Sequence, residues 1–192
     1  MVFNMFSKKL QVINCKPIKG FSIIELIVVI SIIGIMSSLM FANYRQGERE
    51  STLEYATQQV AQDIRKAQNL SLAGSKLDED YTYGYGIFFD KNKKSEYFIY
   101  GDVGEKNKYY KFNIENDKEI FSEPIVLSTN VEINITKNED IFFAPPDPIT
   151  YINGENDNNV KTEIKICFTT INKCKTILVT TAGRIEVSNN KN

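Results

Sequence analysis

Two cysteines near the C-terminus, one glutamate inside an apolar run and several clusters of carboxylates are the residues of this chain whose chemistry invites a function. Cys167 and Cys174 bracket Phe-Thr-Thr-Ile-Asn-Lys, a spacing that can set two thiols opposite each other across a β-hairpin. In an oxidising compartment such a pair closes to a disulfide; in a reducing one it stays as two thiols in a sheet. The third cysteine, Cys15, lies in a basic N-terminal stretch, so removal of that stretch leaves an even pair. Histidine is absent, which removes the commonest general base and the commonest metal ligand together. Asp78-Glu79-Asp80 and the loop at 153–159 gather oxygen ligands, but Gly154 precedes the acids of its loop, so neither has EF-hand spacing and both read as solvated loops. No G-x-S-x-G, P-loop or dinucleotide-binding glycine pattern occurs, and the reading is of a non-enzyme without metal or cofactor.

Glu25 is the only charged residue between Phe21 and Ala42, in FSIIELIVVISIIGIMSSLMFA. About 20 mostly apolar residues span a bilayer as a helix. A carboxylate one turn into that span costs roughly 2 to 3 kcal/mol unless it is partnered, so it needs a reason. The flank before the run carries Lys8, Lys9, Lys16 and Lys19 and no acid, which keeps the N-terminus cytoplasmic and sends the rest across; Arg45 and Arg49 weaken the bias slightly. A secretory signal would end in an Ala-x-Ala-like site, which Met40-Phe41-Ala42 matches weakly, and a lipoprotein signal would place its cysteine after the apolar core rather than before it. A plain signal anchor fits the length and orientation but leaves Glu25 unexplained.

Lys19-Gly20-Phe21-Ser22-Ile23-Ile24-Glu25, leading straight into an apolar helix, resembles the processing and methylation signal of type IV prepilins and pseudopilins. The resemblance implies cleavage by a prepilin peptidase between Gly20 and Phe21 and methylation of the new N-terminal Phe21. It also implies that Glu25, fifth in the mature chain, pairs with the N-terminal amine of a neighbouring subunit. An amine and a carboxylate, each costly in hydrocarbon, become tolerable as a pair, which gives that role a physical basis. The implied partners are the peptidase, other pilin or pseudopilin subunits, an assembly platform with its ATPase, and membrane lipid. The chain would be single-pass in the cytoplasmic membrane, with its head outside, until it enters a filament. Many pilins bend this helix at a proline; none occurs between Phe21 and Ser75, and Gly34 and Gly47 are the weak points instead.

The elements that must carry these residues follow from periodicity. Leu53, Ala56, Val60, Ile64, Ala67 and Leu70 recur at helical spacing, so the helix is expected to run from about Phe21 to Ala73 and to stop at Ala73-Gly74-Ser75. From Tyr81 the pattern becomes short runs rich in Tyr, Phe, Ile, Val and Thr. The expected strands are 83–89 and 96–100 around a turn at 90–95, then 109–114, 125–135, 141–143, 161–169, 176–180 and 184–187. Loops are expected at 144–148 and 153–159 and in the tail from Ser188. The division is then a cleaved leader at 1–20, a transmembrane helix at 21–42, its amphipathic continuation at 43–74 and a β-rich head at 75–192. That order is an α+β arrangement resembling the pilin fold, a long helix packed on an antiparallel sheet.

Tyr85-Gly-Ile-Phe-Phe89, Ile141-Phe-Phe143 and the closing 177–187 segment are similar to the GspH/FimT group of minor pseudopilins and minor pilins. That likeness implies a minor subunit of a type II secretion or type IV pilus-like filament, serving assembly and protein secretion. The rival within the group is a DNA-uptake pilin with a basic C-terminal motif. Here Gly183-Arg184 is followed by Ile185-Glu186, and Lys191 is the only other late cation. Setting the four leader lysines apart leaves 19 basic against 24 acidic residues, a net charge near −5 that argues against nucleic acid as partner.

Overall fold

The computed structural model describes residues 20–74, 76–77, 80–103, 112, 117–119, 123–145 and 149–189. The chain divides into two compact units, Met1–Tyr44 and Arg45–Asn192. A single α-helix, α1 (Ile23–Leu72), supplies the described structure of the first and opens the second. It stops where the sequence has Ala73-Gly74: the Ala73 N–H still donates to Asn69, the Gly74 N–H turns back to Ser71, and Gly74 takes φ +57°, a conformation open to glycine without a Cβ clash. Both Gly34 and Gly47 lie within the helix, which is α throughout.

In the second unit the strands are β1 (Lys76–Leu77), β2 (Asp80–Phe89), β3 (Glu96–Val103), β4 (Asp117–Glu119), β5 (Ile125–Val126), β6 (Val131–Asn134), β7 (Glu139–Ala144), β8 (Ile149–Ile152), β9 (Lys161–Phe168), β10 (Lys173–Thr180) and β11 (Ile185–Asn189). All pairings are antiparallel among the described residues. One sheet runs β4-β3-β2-β7-β8, with β1 against β2 and β5 against β3; the other runs β11-β10-β9-β6.

The core lies where the helix stripe meets both sheets. Leu53, Ala56, Val60, Ala61, Ile64 and Ala67 share one buried cluster with Tyr85, Ile87 and Phe89 of β2, Tyr97 and Ile99 of β3, Ile141 and Phe143 of β7, and Ile164, Ile166, Ile177 and Val179 of β9 and β10. The small residues at 56, 61 and 67 let strands approach the helix, while Ile64 fills the space between them. Polar contacts help fix the helix on the rest of the unit: the Tyr97 hydroxyl donates to Asp63 at 2.5 Å, Ser71 to the Phe143 carbonyl at 2.6 Å, Gln68 to the Gly183 carbonyl at 3.2 Å and Arg65 to the Ile185 carbonyl at 3.4 Å.

Alternation in β2, β3 and β7 sends a second set of side chains to the opposite face of their sheet. Tyr100, Phe142 and Ala144 form a separate buried cluster there, packed by Phe88, Phe112 and Tyr151. Phe112 stacks on Phe88 at 4.8 Å between ring centroids and lies 4.9 Å from the Tyr100 ring. Gly86 makes room for this layer, since a Cβ there would meet the Tyr100 ring at 2.5–2.6 Å.

Several expected boundaries are corrected. The run 125–135 is two strands, β5 and β6, because Asn130 adopts φ 66° in the turn between them and redirects the chain from one sheet to the other. β7 begins at Glu139, two residues before the apolar run, because two acids are buried there by hydrogen bonding. β10 begins at Lys173 rather than Thr176, and Ser188 and Asn189 extend β11 into the expected tail. Strands β1, β4 and β8 were not marked by any long apolar run. Of the expected strand 109–114 only Phe112 is among the described residues, and the rest of that run lies outside them.

Candidate functional site

Gly20 and Phe21 precede the helix without being part of it, and both are exposed, Phe21 to 84%. The backbone N–H of Leu26 donates to the Ser22 carbonyl at 3.1 Å, so the helical ladder begins with Ser22 as the first acceptor. Glu25 falls in the first turn, where the orphan N–H groups give the helix its positive end and a carboxylate is favoured. The peptide bond between Gly20 and Phe21 therefore sits in open, non-helical backbone, and Glu25 follows one turn inside.

From Ile23 to Phe41 the large apolar side chains are between 47% and 79% exposed. An apolar surface of that extent is stable only against lipid or other apolar helices. Two hydroxyls on this stretch turn back onto the helix: Ser31 donates to the Ile27 carbonyl and Ser38 to that of Ile35, both at 2.7 Å, so neither needs water. The helix is thus long and apolar enough to cross a membrane.

In the second unit Cys167 and Cys174 occupy directly paired positions of β9 and β10, and their sulfurs are bonded. Arg184, the one arginine of the last segment, is ion-paired with Glu186. The 153–159 loop turns on Asn153 at φ 54° and Gly154 at φ 86°. Among the described residues no group of three or more His, Cys, Asp or Glu side chains is placed to hold a metal, while Asp78 and Glu79 lie outside them.

Two arrangements escape sequence reasoning. Glu139 and Asp140, exposed to 7% and 5%, are buried as neighbours and served largely by Asn153. Asn153 donates through Nδ2 to Glu139 at 2.8 Å and accepts through Oδ1 from the Asp140 N–H at 3.1 Å, and its own N–H donates to the Asp140 carbonyl. Thr162 adds a second donor to Glu139, while Tyr100 and the Phe112 N–H serve the Asp140 carboxylate. The second arrangement pairs Glu50 and Glu54 of the helix with Lys173 and Lys175 of β10. Its only sequence signal is an i, i+4 acid pair and an alternating Lys-Cys-Lys, both of which occur widely on solvated surfaces.

Comparison with known families gives one match: residues 15–41 fit the prokaryotic N-terminal methylation motif. That motif is the signal of type IV pilin-like prepilins, a class of structural subunits, and its span covers Gly20, Phe21 and Glu25 and most of the uncovered apolar helix. No curated protein and no solved structure matches the chain. The methylation motif, the apolar helix and an α+β head in which that helix continues onto antiparallel sheets are consistent with a membrane-anchored pilin-like precursor.

Proposed function

We propose that this chain is a minor pseudopilin, a structural subunit of a type II secretion or type IV pilus-like filament in the GspH/FimT manner. The observation that carries the reading is the coincidence of the methylation motif at 15–41 with a helix long and apolar enough to cross a membrane. A prepilin peptidase cuts between Gly20 and Phe21, in backbone that is exposed and not hydrogen-bonded into the helix. Phe21 becomes the methylated N-terminus, and residues 21–42 hold the subunit in the membrane until an assembly platform and its ATPase draw it into the filament. There the bare apolar faces bundle, and Glu25 meets the N-terminal amine of a neighbour, so that two charges unfavourable in hydrocarbon neutralise each other only in the correct register. The role is mechanical: the β-rich head supplies the surface and subunit contacts through which assembly and secretion are served.

The test is intact mass and N-terminal sequencing of the chain co-expressed with a prepilin peptidase, beside Gly20→Ala. The expected product begins at methylated Phe21 and is lost in the variant. A chain that keeps residues 1–20 in the presence of an active peptidase sinks the reading.

A further inference from the structure

We propose that Asn153-Gly154 is a self-modification site: the Asn153 amide converts spontaneously to an acid while the head is open, is held off while the head is closed, and once converted bars the head from closing again. This goes beyond filament membership and rests only on the geometry of the second unit.

Asn153-Gly154 is the one Asn-Gly pair in the chain. Glycine carries no side chain to crowd the backbone nitrogen that follows the asparagine, so that nitrogen can attack the asparagine's own side-chain carbonyl carbon. In the step, the Gly154 nitrogen bonds to Cγ of Asn153 and gives up its proton. The Cγ–Nδ2 bond breaks, and ammonia leaves behind a five-membered cyclic imide. Water then opens the ring at either carbonyl, giving aspartate or its β-linked isomer. Water is the only co-reactant, and nothing is oxidised or reduced.

The closed head denies this attack. Asn153 and Gly154 are the central residues of a tight turn, at φ 54° and 86°. The turn is closed from both sides, the Ile152 N–H donating to the Glu155 carbonyl at 2.8 Å and the Glu155 N–H to the Ile152 carbonyl at 3.0 Å. The side chain is held at both ends by β7: Nδ2 donates to the Glu139 carboxylate at 2.8 Å, and Oδ1 accepts from the Asp140 N–H at 3.1 Å. The Asn153 N–H is tied to the Asp140 carbonyl as well, at 2.8 Å. Glu139 is itself buried and fixed by the Thr162 hydroxyl of β9 at 2.8 Å, so it cannot follow the amide outward. Cγ therefore reaches the Gly154 nitrogen only after both ends of the amide are released.

The same contacts make the conversion one-way. An acid at 153 has no N–H for Glu139, and its charge falls beside two carboxylates that are already buried. The β-linked isomer also lengthens the backbone of the turn by one carbon, which shifts the Asn153 N–H contact. A chain whose head stays open is thus progressively lost to the folded population, whereas a closed chain keeps its amide.

Peptide mass spectrometry that resolves amide, aspartate and β-linked isomer at position 153 tests this. It follows the full chain in detergent micelles at mildly alkaline pH, folded and in unfolding urea, with a synthetic peptide of residues 149–159 as the unprotected standard. Conversion in the folded chain is expected to be about tenfold to a hundredfold slower than in the peptide, the factor that one hydrogen bond to a charged group sustains against opening. The unfolded chain should match the peptide. When partly converted, unfolded chain is returned to native buffer, the protease-resistant fraction should be enriched in the amide and the sensitive fraction in the acids. A folded chain that converts as fast as the peptide or faster would show that Glu139 and the Asp140 N–H assist the reaction instead of blocking it. Equal proportions of acid in the two refolding fractions would show that the product does not bar closure. Either result overturns the proposal.

Discussion

Replacing Asn153 should destabilise the head by more than its loop position implies, and the cost divides into two measurable parts. The residue sits at φ 54°, where a side chain with a plain Cβ is disfavoured by about 1 to 2 kcal/mol. Its amide also donates to the buried Glu139 carboxylate and accepts from the Asp140 N–H, and a hydrogen bond to a charged group contributes roughly 1.5 to 3 kcal/mol. Asn153→Ala loses both, for an expected loss of about 3 to 4 kcal/mol. Asn153→Gly relieves the backbone and isolates the hydrogen-bonding part, so it should recover about 1 kcal/mol of that. Asn153→Asp keeps the turn but sets a carboxylate oxygen where the amide now lies 2.8 Å from the Glu139 carboxylate, so it should be at least as harmful as alanine near neutral pH. Urea unfolding of the full chain in micelles, followed by tyrosine emission since the chain has no tryptophan, reads all three. An alanine variant within about 0.5 kcal/mol of wild type, or a glycine variant with full stability, refutes the account of how these two acids are kept buried.

Glu25→Ala should leave cleavage between Gly20 and Phe21 intact but reduce incorporation into filaments, read by mass of the processed chain and by its recovery in sheared filament fractions; normal incorporation would remove the charge-pairing role. Gly86→Ala should cost about 1 to 3 kcal/mol in the same unfolding assay, because its methyl meets the Tyr100 ring and the strands on both sides prevent escape. Burial first, and then the hydrogen bond to Asp63, raises the Tyr97 phenol above its ordinary value near 10. The folded chain thus keeps a proton that the unfolded chain releases from about pH 10 upward, so this contribution is whole below that pH and falls above it by up to about 1.4 kcal/mol per unit. Tyr97→Phe should remove that part of the alkaline slope; an unchanged slope between pH 9 and 11.5 would show that the phenol does not carry it.

What was legible in the sequence was whatever is carried by neighbours in the chain. The apolar run and the helix stripe from Leu53 to Leu70 lie along one continuous segment, where spacing alone sets the helix and its buried face. The hairpin of β2 and β3 was equally plain, since its turn residues are adjacent. Tertiary structure decided what depends on distant partners. Glu139 and Asp140 lie before the apolar run at 141–143 that marked the strand, yet they are buried because Asn153, Thr162, Tyr100 and Phe112 converge on them from four other places in the chain. The split of 125–135 rests on one turn residue whose left-handed φ is permitted by asparagine but not demanded by it. Short strands such as β1, β4 and β8 take their form from the edge they join rather than from their own propensity. The same reason hides the ion pairs between helix and hairpin: an acid pair on one turn and two lysines flanking a cysteine are ordinary surface residues until folding sets Glu50 beside Lys173 and Glu54 beside Lys175 across more than a hundred residues of chain.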